Sequence, residues 1–400
     1  MAPPLVIWDP AMLAYDLGGS HPLHPLRWEL TWELAGQLGV LDGIDRFAPR
    51  PADDATLARI HSPAYIAAVR SASGPGPGAG QARRREQQLR HGLGTSDNPI
   101  FEHMHESAAL IAGGSIAAAT AIARGEVDRA VNIAGGLHHA MAEQAAGFCV
   151  YNDAALAIAT LLDSGVERVA YVDVDVHHGD GVQAAFYDDP RVLTVSIHES
   201  PLSLWPGTGS ASEIGSGAAA GTAVNIPLPA GTGDAQWLRA FHAVVPGVVR
   251  AFRPEVLVTQ HGADSHADDP LADLNLSVDG QLASYRALRD LAESVAGGRW
   301  LALGGGGYSL VRVVPRAWTH LLATVVGRDL DPATSLPTRW LDLAAAARPG
   351  LRLPDRMTDD APTAFDVWAG QVEAPVDTSI AEVRRLIFPL HGLDPFDPRD

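Results

Sequence analysis

The chain holds a single cysteine, Cys149, among 400 residues. That excludes an intrachain disulfide framework and a multi-thiolate metal site, so any metal must be held by histidine, aspartate or glutamate. Positive charge is scarce as well: 29 basic residues face 47 acidic ones, a formal net charge of −18. Such a surface repels phosphate backbones, which argues against nucleic acid as a partner and favours cationic substrates or basic protein tails. Long hydrophobic runs are missing too. Nowhere do about 18 apolar residues run uninterrupted, and the N-terminal MAPPLVIWDP has no basic region followed by a long apolar stretch. The expectation is a cytoplasmic protein without a membrane partner; oligomeric state is not legible.

What is present is core-forming material: 46% hydrophobic and 19% charged residues, an ordinary composition for a folded chain. Short β-branched runs at 129–136, 168–176, 191–199, 255–264 and 299–308 alternate with helical stretches at Glu106–Arg124, Asp153–Asp163, Asp234–Phe252 and Gln281–Val295. This alternation predicts a three-layer α/β/α fold around a mainly parallel, doubly wound sheet, within one catalytic domain spanning 1–400. The Gly/Pro-rich stretch 71–80 reads as a surface excursion, Arg83–Arg85 as a solvated helix face. The tail after about 328 is expected to pack on the domain without contributing chemistry.

In such a sheet the ligand site lies beyond the carboxyl ends of the strands. Polar clusters sit there in run after run: His138, His177, Asp264 and Tyr308 each follow an apolar strand. The densest is DVDVHHGDG at 173–181. Residues two apart on a strand share a face, so Asp173, Asp175 and His177 converge while Val174 and Val176 point to the other layer. A catalytic zinc needs about three protein ligands and an open position; the third would come from another strand end, where Asp264 in QHGAD is the best candidate. Oxygen-rich ligation of this kind also suits Fe(II), Mn(II) or Co(II). A lone Asp after a strand usually caps a helix or pairs with arginine, but five ionisable groups in so few positions favour function.

His138 and His139 follow a Gly135–Gly136 turn and could stand beside the metal, where an imidazole suits proton transfer. Asp173 and Asp180 can each fix one imidazole's tautomer. The glycine run 304–307 lets backbone approach a ligand closely and brings Tyr308 into the site, where a phenol can stabilise a growing oxyanion. It lacks the G-x-G-x-x-G spacing of a dinucleotide loop.

Together these strings, with HPLHPLRWELT, SDNP at 96–99, GFCVYND at 147–153, SIHES, WPGTG and DSHADDPLADLNLS, resemble the histone deacetylase superfamily of the arginase/deacetylase fold. They are most similar to the bacterial acetoin-utilisation type, over residues 5–325, leaving 326–400 as a C-terminal extension. The resemblance implies a zinc-dependent amide hydrolase that removes acetyl groups from lysine by metal-activated water, with Fe2+ as the alternative ion. It implies Asp175, His177 and Asp264 as ligands, His139 as general base and acid with His138 as its electrostatic companion, and Tyr308 polarising the acetyl carbonyl. Asp173 and Asp180 support the histidines. Phe148, Trp205 and Leu271 would line an acyl-lysine slot together with Gly147, Asp97 would grip the substrate backbone at the rim, and Arg27 would sit near the acetate exit. A structural K+ or Na+ site is implied at Asp173, Asp175, His177 and Ser196, and a second near Phe186 and Val192. GGLHHAM departs from the Pro-Gly that precedes the histidine pair in eukaryotic members, and Trp205 stands where they carry phenylalanine.

Three other readings compete. Acetylated polyamines or other small acetyl amides could use the same site, an acyl-lysine binding module would hold its ligand without turnover, and a dinucleotide-dependent oxidoreductase would bind nicotinamide instead.

Overall fold

The computed structural model describes residues 3–73 and 81–400. Residues 74–80 of the Gly/Pro-rich stretch, and the side chains of Arg83 and Arg84, lie outside the described residues.

Among the described residues eight strands form one sheet: β1 Leu5–Ile7, β2 Arg46–Phe47, β3 Arg129–Asn132, β4 Val169–Asp173, β5 Val192–Glu199, β6 Ala223–Leu228, β7 Val256–Gln260 and β8 Trp300–Leu303. Their spatial order is β2-β1-β3-β8-β7-β4-β5-β6. Every neighbouring pair is parallel, so the sheet expected to be mainly parallel is parallel throughout. VAYVD of β4 and VLVTQ of β7 are buried at every position. Strands covered on both faces have no solvent side, which is why they read as continuous β-branched runs.

The helices preceding the central strands are α1 Leu26–Gln37, α2 Asp54–Leu57, α3 Pro63–Ala72, α4 Gln81–Arg90 and α5 Met104–Ala123. They are followed by α6 Asp153–Asp163, α7 Asp180–Phe186, α8 Asp234–Phe252, α9 Val278–Ala296, α10 Val314–Val325, α11 Thr338–Ala347 and α12 Pro375–Ile387. Helices α3, α5, α6 and α7 pack in succession as one layer; α1, α10, α9, α8 and α12 form the other. Local chemistry sets the boundaries: the Ser277 hydroxyl accepts from Gly280 N at 3.0 Å to start α9, which ends at the left-handed Gly297. Among the described residues α5 alone is long and apolar enough to cross a membrane, and it is mostly buried against α6 and the sheet.

Several boundaries move. Sequence periodicity carries the strands to residues 136, 176, 264 and 308, but pairing stops at Asn132, Asp173, Gln260 and Leu303. Beyond those points the backbone exchanges ladder bonds for bonds to polar side chains. The Gly/Pro-rich excursion begins later than its composition suggests, because α3 runs to Ala72; Arg85 is exposed on α4. The short strands β1, β2 and β6 escape periodicity altogether. β6 carries Pro227, which only an edge strand tolerates.

The tail does more than cover the domain. Val376, Ile380, Val383 and Ile387 of α12 join the main core, while Trp340 and Ala344 of α11 close a second apolar cluster with Leu30 and Leu34 of α1.

Candidate active site

After β4 the chain turns twice. Asp173 Oδ1 accepts from Asp175 N at 3.1 Å, and Asp175 Oδ1 accepts from His177 N at 3.0 Å. These are turns closed by an aspartate's own carboxylate. They correct the expectation of a shared strand face: Asp175 and His177 converge because the chain has left the sheet, and Asp173 serves the neighbouring histidine instead. Asp264 arrives from the loop after β7. One donor atom from each of Asp175, His177 and Asp264 lies within 4.8 Å of the others, and all three residues are buried.

His177 Nδ1 stands 3.1 Å from Asp175 Oδ1 and 3.3 Å from Asp264 Oδ2. Apart from that His177 ring, Asp264 Oδ2 has no hydrogen-bond partner among the described residues. Burial and the neighbouring Asp175 carboxylate push Asp264 up to about 6, as two like charges in a dry site must. Buried carboxylates this close favour a counter-cation, and three convergent donors of this type fit one divalent ion with coordination positions to spare. One backbone and one side-chain donor complete the cradle: Gly306 N and Gln260 Nε2 each donate to Asp175 Oδ2 at 2.8 Å. A Cβ on Gly306 would meet Asp264 Oδ2 at 1.9 Å, so no other residue fits there.

The histidine pair follows β3. His138 Nδ1 faces Asp173 Oδ2 at 2.7 Å, and His139 Nδ1 faces Asp180 Oδ1 at 2.7 Å. Each carboxylate fixes a proton on Nδ1 of its histidine. The two Nε2 atoms are 3.0 Å apart, a contact that closes only with a single proton between them. Burial opposes charge on His138, but Asp173 and Asp175 outweigh it and raise its pKa to about 9. Burial and the His138 charge together lower His139 to about 4. Charge is therefore favoured on His138 and disfavoured on His139. Asp173 is held in turn by the Tyr171 hydroxyl at 2.6 Å.

Above these groups opens a slot of about 210 Å³ lined by His139, Gly147, Phe148, His177, Leu204, Trp205, Leu271 and Tyr308, with Asp97 at its edge. Trp205 is 47% exposed and meets His139 edge-on at 4.6 Å, so it forms a wall and is not core packing. Phe148 and Tyr308 are also edge-on, at 5.6 Å and 86°. Phe148 sits at φ 68°, a backbone conformation costly for an aromatic residue and held here because Tyr15 donates to its carbonyl at 2.7 Å. A Cβ on Gly147 would meet the His139 ring at 2.3 Å. Asp97 Oδ2 accepts from Gly147 N at 2.9 Å, tying rim to wall. Burial and the Asp264 charge keep the Tyr308 phenol protonated.

Arg27 lies below the slot, away from its lining. Its Nη1 donates to Gly305 O at 2.9 Å and Gly307 O at 3.3 Å, and its guanidinium lies between Trp28 and Trp318. Of the residues proposed for a monovalent ion, Ser196 pairs in register with Asp173 beside Asp175 and His177. Phe186 and Val192 are joined by one turn through Asp189, but Val192 begins β5, at the end of the strand opposite the slot. Sequence reasoning missed Gln260, Tyr171, Asp269, His21 and Leu204. Asp269 Oδ2 accepts from Tyr308 N at 2.8 Å, and His21 packs edge-on against Phe148 at 4.5 Å. Gln260 and Asp269 were legible as polar residues inside QHGAD and DSHADDPLADLNLS; Leu204 gave no signal.

A parallel α/β sheet whose central strand tips carry an Asp/His/Asp cluster, a carboxylate-backed histidine pair and a phenol is the arrangement of a metal-dependent deacetylase. The chain belongs to the histone deacetylase family: the histone deacetylase domain matches residues 21–325. It is 40% identical over 335 residues to the acetoin utilization protein AcuC of Bacillus subtilis (strain 168), covering 84% of each chain. It is 37% identical over 330 residues to AcuC of Staphylococcus xylosus, 82% of this chain and 84% of that protein. Among solved structures, an HDAC homolog from Aquifex aeolicus superposes with TM-score 0.80 at 27% identity, covering 96% of this chain and 99% of that one. An HDAC homolog complexed with SAHA gives 0.81 at 28% identity, with 97% and 100% covered.

Proposed function

We propose that this chain is a zinc-dependent deacetylase that hydrolyses the acetyl amide of lysine side chains, its residues acting as one catalytic domain. The observation that carries this reading is the 3.0 Å contact between the Nε2 atoms of His138 and His139 at the floor of the slot, each ring backed by its own carboxylate. It supplies a neutral base beside a fixed positive charge.

Asp175, His177 and Asp264 would hold the ion, zinc in preference to Fe2+, which when bound polarises the acetyl carbonyl and acidifies water. His139 accepts the proton of the attacking water at Nε2 as its 3.0 Å contact with His138 Nε2 gives way, and returns that proton to the departing amine. His138 keeps its charge through that cycle and stabilises the anionic transition state. Tyr308 donates its hydroxyl proton to the acetyl oxygen as negative charge grows there, a contact worth most in the transition state. The narrow wall of Phe148, Trp205, Leu271 and Gly147 suits one linear apolar stem. Asp97 presents its carboxylate at the rim for backbone amides of an acetylated protein. Buried Arg27 supplies positive charge beneath the slot, on the side where acetate would leave. A structural K+ or Na+ at Asp173, Asp175, His177 and Ser196, and another near Phe186 and Val192, complete the proposal.

The SAHA complex of a structural neighbour and the deacetylase family of the chain support this assignment. The decisive experiment measures metal content together with acetate release from acetyl-lysine peptides and from acetylputrescine. Turnover of the peptides with stoichiometric zinc is expected. Much faster turnover of acetylputrescine would reassign the substrate to small acetyl amides, and peptide binding without acetate release would leave only a binding module.

A further inference from the structure

The slot does not open onto a flat surface. Tyr308 also lines a second, larger groove of about 710 Å³ beside it. One wall is the loop after β8, from Tyr308 to Arg312; the other is the end of α11 with residues 347–351. Those last residues lie beyond the region matched by the family domain, which ends at 325, so this wall is a feature of the C-terminal extension. Asp268 and Pro270 border the groove next to Leu271 of the slot, and Tyr308 lines both spaces.

The groove carries charge of the sign this molecule lacks. Its lining holds two cations, Arg312 and Arg348, against one carboxylate, Asp268, in a chain whose net charge is −18. Arg312 Nη2 pairs with Asp268 Oδ2 at 2.9 Å, but its Nε is buried with no acceptor. Arg348 is exposed and forms no ion pair among the described residues. Leu351, 41% exposed, adds an apolar edge. The sequence contains no lysine, so all of its basic residues are arginines. Acetylation therefore cannot remove the charge of this groove, and each guanidinium presents a fork suited to a carboxylate.

We propose that this groove binds the polypeptide flanking the acetyl-lysine and selects a carboxylate side chain within a few residues of it, through the exposed Arg348. The inference rests on the lysine-deacetylase reading and narrows its substrate class to acetyl-lysines in acidic sequence. An extended chain advances about 3.3 Å per residue, so a neighbour two to four positions from the acetyl-lysine leaves the slot past Tyr308 and enters the groove.

The test uses the zinc-loaded full chain and three substrates: acetyl-lysine amide with no flanks, a peptide with neutral flanks, and the same peptide with glutamate placed in turn at each position within four of the acetyl-lysine. Exposed ion pairs are modest, so kcat/KM should rise roughly three- to fivefold for the best-placed glutamate, mostly through KM. The gain should shrink as salt is added. Arg348→Glu should reverse the preference, and Arg348→Ala should abolish it, with acetyl-lysine amide turned over at the original rate in both. Equal kcat/KM for neutral and acidic peptides at every position would overturn the proposal, as would an equal loss on acetyl-lysine amide in the Arg348 variants. Failure to release acetate from acetyl-lysine amide itself would instead defeat the lysine-deacetylase reading, and this inference with it.

Discussion

Replacing Gly306 by alanine puts a methyl group where the fold has left room for none. The new Cβ would stand 1.9 Å from Asp264 Oδ2 and 2.9 Å from Asp175 Oδ2. Carbon and oxygen in ordinary contact are about 3.4 Å apart, so the first separation must open by roughly 1.5 Å. Neither carboxylate can retreat freely. Asp175 Oδ2 is held by Gln260 Nε2 and Gly306 N at 2.8 Å each, and Asp264 Oδ1 accepts from Val176 N at 3.1 Å. The backbone of 304–308 must give way instead, carrying Tyr308 with it. Overpacking of this kind costs about 1–3 kcal/mol. The larger effect falls on the cradle, where misplaced ligands and their supports lower metal affinity by about 10- to 100-fold. Measurement pairs a thermal melt with zinc-to-protein stoichiometry after gel filtration and acetate release at saturating substrate. The variant should fold, melt several degrees lower, bind zinc weakly and turn over at least about 100-fold more slowly. Full zinc occupancy with undiminished turnover in Gly306→Ala would refute the cradle as drawn.

Other consequences are sharper in kind. Tyr308→Phe keeps the ring against Phe148 and the Tyr308 N–H to Asp269, so it should lower kcat by about 10²–10³ with little change in KM; equal turnover would remove the phenol from the mechanism. His139→Ala should nearly abolish acetate release while zinc content is unchanged, and loss of zinc would mean that this imidazole is a ligand. Acid stability offers a test away from the slot. His61 accepts from Asn152 N and faces Met141 O at 3.0 Å each, and His320 faces Met357 O at 3.0 Å; burial lowers both to about 4. The unfolded chain takes up these protons near pH 6.5 while the folded one refuses them until about pH 4. Stability is therefore full above about pH 6.5 and falls by on the order of 3 kcal/mol per histidine as pH drops toward 4. Denaturant melts from pH 7 to 4 measure this, and His61→Gln or His320→Gln should flatten the slope.

The local chemistry was legible in the residues themselves. β4 and β7 read as buried strands because both faces are covered, and DVDVHHGDG read as a site because a purely structural strand end has no use for so many ionisable groups. α6 and α8 fell where their helical patterns placed them, at Asp153–Asp163 and Asp234–Phe252. Weak patterns hid what depends on distant partners. β2 has only two residues, β6 tolerates proline because it is an edge, and α12 takes its meaning from α8 and β6 on which it packs.

By itself the sequence determined which groups can do chemistry and that each follows a strand, since residue type and hydrophobic period are properties of the chain alone. Only the tertiary structure decided that β3, β8, β7 and β4 are consecutive in the sheet. That order sets the strand that delivers Tyr308 between those that deliver the histidine pair and Asp264, although the chain reaches it last. It arises from crossovers that return the backbone past strands already laid down, a choice made by the packing of whole helices against the sheet. The groove beside Tyr308 belongs to the same level, because its second wall is a tail that only folding brings back to the slot.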